Sequence, residues 1–95
     1  MAEKKIYQVI WTPKADKQLS QLEDKNEAKE LYKNANRSLA YYPYKHKKLY
    51  GKWVGFRRYS FGKYRVIYKI IEQKPVIVLV VKTGLREDVY EKKTK

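Results

Sequence analysis

Two β-rich runs meet at Gly62-Lys63, and that junction constrains the fold more than any other stretch of the chain. Trp53 to Phe61 and Tyr64 to Glu72 each read as a strand, and Gly at the first central position of a two-residue loop suits a type II′ turn. The register then follows by counting. Phe61 faces Tyr64, Ser60 faces Arg65, Tyr59 faces Val66 and Arg58 faces Ile67. Directly opposed residues share one side of a sheet. Ser60, Arg65, Arg58, Ile67 and Lys69 therefore gather on one face, and Phe61, Tyr64, Tyr59, Val66, Tyr68 and Ile70 on the other. The second set suits packing under helices. The first puts three cations on a face without helices, and a slip of one residue would destroy this sorting. Arg57 falls on the aromatic side, so its stem is expected along the core edge with its head in water.

The rest of the chain supplies the helices. Lys5 to Trp11 alternates like a strand, with β-formers dominant. Thr12-Pro13 then pairs a good N-cap residue with a proline at the first helical position. Ala15, Leu19 and Leu22 give the first helix its apolar stripe. Asp24 followed by Glu27 predicts the cap of a second helix, along which Ala28, Leu31, Tyr32, Ala35, Leu39 and Tyr42 recur until Pro43 ends it. Tyr44 to Gly51 reads as a basic connection. Val76–Lys82 is apolar nearly throughout and is expected as a central strand, broken at Thr83-Gly84. The predicted class is α+β, in β-α-α-β-β-β order, with two N-terminal helices packed on an antiparallel sheet. Residues 1–95 are read as one domain.

Charge narrows the function. The chain has 23 Lys plus Arg against 10 Asp plus Glu, a net +13. No acidic residue lies between Glu30 and Glu72, while Lys33, Arg37, Lys45, Lys47, Lys48, Lys52, Arg57, Arg58, Lys63, Arg65 and Lys69 all do. Ten aromatic residues from Tyr41 to Tyr68 interleave with them. Cations hold phosphates and aromatic faces stack on unpaired bases, so this segment points to a nucleic-acid partner. There are no cysteines, hence neither disulfides nor a Cys-based zinc site. That fits a reducing, cytoplasmic setting. No signal-peptide pattern opens the sequence, and the longest apolar run, Val76 to Val81, is too short to span a membrane. No metal-ligand cluster is apparent, and no cofactor is expected.

Several segments, in order, carry a family likeness. They are Val9-Ile10-Trp11-Thr12-Pro13-Lys14-Ala15, Tyr42-Pro43-Tyr44, Lys48-Leu49-Tyr50-Gly51, Phe61-Gly62-Lys63-Tyr64-Arg65-Val66-Ile67-Tyr68 and Gly84-Leu85-Arg86-Glu87-Asp88-Val89-Tyr90. With them the chain resembles the RelE/ParE superfamily of prokaryotic toxins, the toxic halves of type II toxin–antitoxin pairs, over almost its whole length. The resemblance implies one of two activities. RelE-like members cut mRNA in the ribosomal A site; ParE-like members inhibit DNA gyrase and lack the nuclease residues. It assigns catalytic positions to Arg58, Arg65, Arg86 and Tyr90. A second basic position on the strand of Arg58 is Ser60 here, and a position often occupied by histidine is Leu85.

The expected function is a ribosome-dependent, metal-independent endoribonuclease. A 2′-hydroxyl attacks the adjacent phosphate, cations stabilise the charge that develops, and Tyr90 accepts the proton or stacks on the attacking nucleotide. Lys45, Lys47, Lys48, Lys52, Lys63 and Lys69 are expected to grip RNA backbone, and a cognate antitoxin to mask these cations. The alternatives are a gyrase inhibitor without catalysis and a non-catalytic RNA-binding module. His46, the single histidine, is expected as a solvated or RNA-contacting group, and Glu87 and Asp88 as tethers or caps beside Arg86.

Overall fold

The structure, a computed structural model, describes residues 6–89. The elements run β1 (Gln8–Trp11), α1 (Pro13–Ser20), α2 (Lys25–Tyr41), β2 (Lys47–Lys48), a 3₁₀ turn (Gly51–Trp53), β3 (Arg57–Phe61), β4 (Tyr64–Ile71), β5 (Ile77–Leu85) and α3 (Arg86–Val89). The five strands form one sheet in the order β1-β5-β4-β3-β2. The α+β class and the packing of helices on the sheet are as expected from the sequence. Both long helices begin where their caps place them. The Thr12 hydroxyl accepts from the Ala15 amide at 3.1 Å, and the Asp24 carboxylate from the Glu27 amide at 3.0 Å.

Differences from the expected order have local causes. Lys47–Lys48 is not only a connection: it adds a two-residue edge strand antiparallel to β3. The run from Trp53 to Phe61 is not one strand. The backbone at Gly51 and Gly55 takes φ of 66° and 93°, so the chain turns there and β3 starts only at Arg57. Thr83-Gly84 does not break the last strand, because Arg65 pairs with Gly84 and Tyr64 with Leu85. Nor is the sheet wholly antiparallel. β1 lies parallel to β5, with Gln8 opposite Ile77 and Trp11 opposite Val80. The two helices between β1 and the hairpin carry the chain across the sheet and allow that crossover.

The β3–β4 register matches the count from the sequence, with Phe61 opposite Tyr64, Ser60 opposite Arg65, Tyr59 opposite Val66 and Arg58 opposite Ile67. Gly62 adopts φ 59°, as a tight hairpin turn demands. On the helix side, Tyr64, Val66, Tyr68, Val78 and Val80 bury against Ala15, Leu31, Ala35 and Leu39. Each fully buried aliphatic chain there contributes about 1.5–3 kcal/mol. β5 carries a bulge. Ile67 pairs with Lys82 and Tyr68 with Val80, leaving Val81 unmatched. The extra residue reverses the alternation, so Val78 and Val80 face the helices before it and Thr83 and Leu85 after it. Lys82 is thereby sent to the opposite face. No described helix is long and apolar enough to cross a membrane.

Candidate functional site

The sheet face away from α1 and α2 gathers the cations. Arg58 of β3, Arg65 and Lys69 of β4, and Lys82 of β5 share it through the observed pairings, and Lys47 of β2 joins them opposite Arg58. No residue of the five strands is acidic. A patch of one sign beside a low-dielectric wall concentrates its field and draws in polyanions.

Arg58 and Arg65 have a further property in common. The Nε of each is sealed from solvent and has no hydrogen-bond partner. An unpaired donor in such a place is costly, and an arriving oxyanion would relieve it. Arg65 is held in place by its Nη1, which donates to the carbonyls of Gly62 and Tyr64, both at 2.9 Å. Arg86 opens α3 and is exposed. Its backbone amide donates to the Lys63 carbonyl at 2.8 Å, which ties it to the hairpin turn two residues beyond the Arg65–Gly84 pair. Of the four residues assigned to catalysis, Arg65 and Arg86 thus lie near the hairpin turn, and Arg58 lies on the face of Arg65, two residue pairs farther along the β3–β4 ladder. The fourth, Tyr90, lies outside the described residues.

The face is not bare, as the sequence suggested. The segment between β2 and β3 folds onto it. Phe56 continues β3 one step past the Arg57–Tyr68 pair, and its ring lies 5.2 Å from Lys69 Nζ. Trp53 lies 5.7 Å from Lys82 Nζ. The two rings meet edge to face, 5.4 Å apart at 88°. Ile67, on this side by register, is fully buried. Trp53, Phe56 and Lys82 escaped the residue count because a glycine turn and a bulge set their facing; only the parity of Phe56 with Arg58 signalled it.

The six lysines expected to grip RNA divide. Lys47 and Lys69 are on the cationic face, and Lys52 is exposed in the 3₁₀ turn. Lys48 pairs with Arg57 and so has the other parity. Lys45 lies 5.1 Å from the Tyr42 ring at the end of α2. Lys63 is 3.6 Å from Glu27 Oε1.

His46 is not a solvated group, and the Arg57 head, besides lying past the core edge, is tied to the backbone. His46 is half-buried, with Nε2 2.8 Å from Ser38 Oγ and its ring edge-on to Tyr59 and Tyr68. Burial above all, then the charges of Lys45 and Arg57, push its pKa below the ordinary value. Arg57 Nη1 donates to the carbonyls of His46 at 2.8 Å and Tyr44 at 3.1 Å. Tyr68 donates to the Pro43 carbonyl at 2.6 Å, and Tyr44 to Glu72. These bonds clamp residues 43–46 and set β2 at the edge of the sheet. Four tyrosines, Tyr44, Tyr59, Tyr64 and Tyr68, hold their protons more tightly than a free phenol. The Glu72 hydrogen bond raises Tyr44 to about 12 and the Glu27 hydrogen bond raises Tyr64 to about 12, while burial raises Tyr59 and Tyr68.

A family model described as ParE toxin of type II toxin–antitoxin system, parDE, matches residues 9–90. Among solved structures, the toxin–antitoxin complex RelBE2 from Mycobacterium tuberculosis is similar at TM-score 0.78 and 22% identity, covering 93% of this chain and 100% of that one. The YoeB/ParE toxin from Agrobacterium tumefaciens is similar at TM-score 0.65 and 14% identity, covering 83% and 98%. The conserved hypothetical protein HP0894 from Helicobacter pylori is similar at 0.59 and 12%, covering 86% and 97%. No curated protein matches. At these identities the structural likenesses speak for the fold.

Proposed function

The chain belongs to the ParE toxin family of type II toxin–antitoxin systems, and from that premise we propose that it is an RNA-cutting toxin of the RelE-like kind, acting on mRNA in the ribosomal A site. As a toxin of such a system, it has an antitoxin for its partner. The observation that carries the nuclease reading is the pair Arg58 and Arg65 on adjacent strands, each with a buried, unpartnered Nε, on a face whose strands hold no acid.

In this reading the scissile phosphate sits against Arg58 and Arg65, with Arg86 approaching from the start of α3. The 2′-oxygen attacks phosphorus, the bond to the 5′-oxygen breaks, and a cyclic phosphate and a 5′-hydroxyl are left. Tyr90, as its phenolate, takes the proton of the 2′-hydroxyl, a water molecule supplies the proton that the departing 5′-oxygen needs, and the guanidinium groups bear the charge on the phosphoryl oxygens, since an arginine keeps its proton. Lys47, Lys52 and Lys69 hold flanking backbone.

Primer extension on translating ribosomes tests this. New A-site cuts are expected with the wild-type chain. Arg65→Ala and Arg86→Ala should each slow cutting by roughly 100- to 1,000-fold, the usual loss for a donor to developing negative charge. The family's ParE description favours a second reading, inhibition of gyrase without cleavage. Supercoiling inhibition with intact mRNA would establish it in place of the first.

A further inference from the structure

We infer that Trp53 and Phe56, with Lys82 and Lys69 at their rings, form a subsite for an unpaired nucleobase, which makes the preferred ligand a single-stranded RNA. The inference rests on the reading above only in taking the RNA phosphate to lie at Arg58 and Arg65.

The position of the rings supports it. Phe56 lies two residues along β3 from Arg58 and on the same face, a separation of about 7 Å. That is comparable to one nucleotide step in a stretched strand, so a phosphate at Arg58 leaves the neighbouring base beside the ring pair. Trp53 and Phe56 are half-buried rather than sealed, so they keep part of their surface open. Ile67 on this face is fully buried, yet aliphatic side chains would cover it as well. What aliphatic cover would not supply is an aromatic face beside Lys69 and another beside Lys82, at 5.2 and 5.7 Å.

The lysines define the occupant. With no acid on the strands, their ammonium groups rest against rings. An ammonium near the surface holds a ring weakly, whereas a base stacked on the same ring gains more. An incoming base therefore displaces the ammonium, which is then free to reach the phosphate of the same nucleotide. A paired base cannot leave its stack without added cost, so a duplex is excluded.

The chain has two tryptophans, so Trp11→Phe leaves Trp53 as the sole tryptophan emitter. Three ligands separate stacking from charge: an uncleavable 2′-O-methyl RNA oligomer, the same oligomer made abasic, and inorganic polyphosphate of equal charge. The base-bearing strand should quench Trp53 emission, and the other two should leave it unchanged. Trp53→Leu should weaken binding of the base-bearing strand at least about fivefold, and Trp53→Tyr should restore it. Equal quenching by polyphosphate, or full affinity in a folded Trp53→Leu chain, would overturn the subsite. The emission measurement needs no change at Trp53, so a misfolded Trp53→Leu chain leaves it decisive. RNA that quenches Trp53 in a chain that cuts nothing keeps the subsite and removes the nuclease; cutting with Trp53 silent does the reverse.

Discussion

At His46 a single ring joins three parts of the fold. It bonds to Ser38 of α2, rests on Tyr59 of β3 and Tyr68 of β4, and sits in the loop whose carbonyls Arg57 holds. Its pKa is lowered in the folded state, so the unfolded chain binds the proton more readily. Stability contributed by the neutral ring is fully present above the unfolded value of about 6.5 and is lost as pH falls toward the folded value. The urea midpoint should therefore drop between pH 7.5 and pH 5.5, and His46→Asn should flatten that dependence. An unchanged pH dependence in His46→Asn would show that the proton is taken up elsewhere. The same residue-scale logic separates the arginines. Arg57 Nη1 is spent on two carbonyls, whereas Arg58 and Arg65 each keep one buried N–H unanswered, and on that difference rests the proposal that the latter two bind the anion.

Between β2 and β3, backbone geometry decides where side chains go. Gly55 holds φ 93°, a conformation that an L side chain rarely adopts, and the turn it makes sends Phe56 and Trp53 onto the cationic face. A Cβ at Gly55 would meet nothing within 4 Å, so the penalty there is backbone strain and not collision. Gly55→Ala should cost about 1–2 kcal/mol, measured as a lower urea midpoint. It should also loosen the ring pair, seen as a shift of Trp53 emission. The β5 bulge acts in the same way. By inserting Val81, it lets one strand bury Val78 and Val80 and yet present Lys82 outward.

Over the whole molecule, a charge of +13 makes binding to any polyanion strongly salt-dependent. Geometry then distinguishes cations that composition treats alike. Lys47 and Lys52 are exposed, whereas Lys63 already faces Glu27. For an uncleavable RNA oligomer followed by fluorescence anisotropy, the log–log slope of affinity against salt should fall by about 1.4 in Lys47→Ala/Lys52→Ala, two contacts at about 0.7 each. Lys63→Ala should change it by less than half as much. Equal slopes in the wild-type chain and the double variant would remove Lys47 and Lys52 from the RNA contact.

The order of the principal elements, β1, α1, α2, β3, β4 and β5, the two helix caps and the β3–β4 register could be read directly from the residues. Each depends on local chemistry: Thr12 and Asp24 at the caps, Pro43 as a stop, and Gly62 at a turn that sets which residues oppose each other. That register alone placed Arg58 and Arg65 on one face. The rest was decided by contacts between residues far apart in sequence. The parallel pairing of β1 with β5, the outward turn of Lys82, the burial of His46 and the meeting of Trp53 and Phe56 with Lys82 and Lys69 each depend on which surfaces meet once the chain has closed. Alternation predicts facing only while a strand remains regular, and a bulge or a left-handed glycine resets it at no cost visible in the composition.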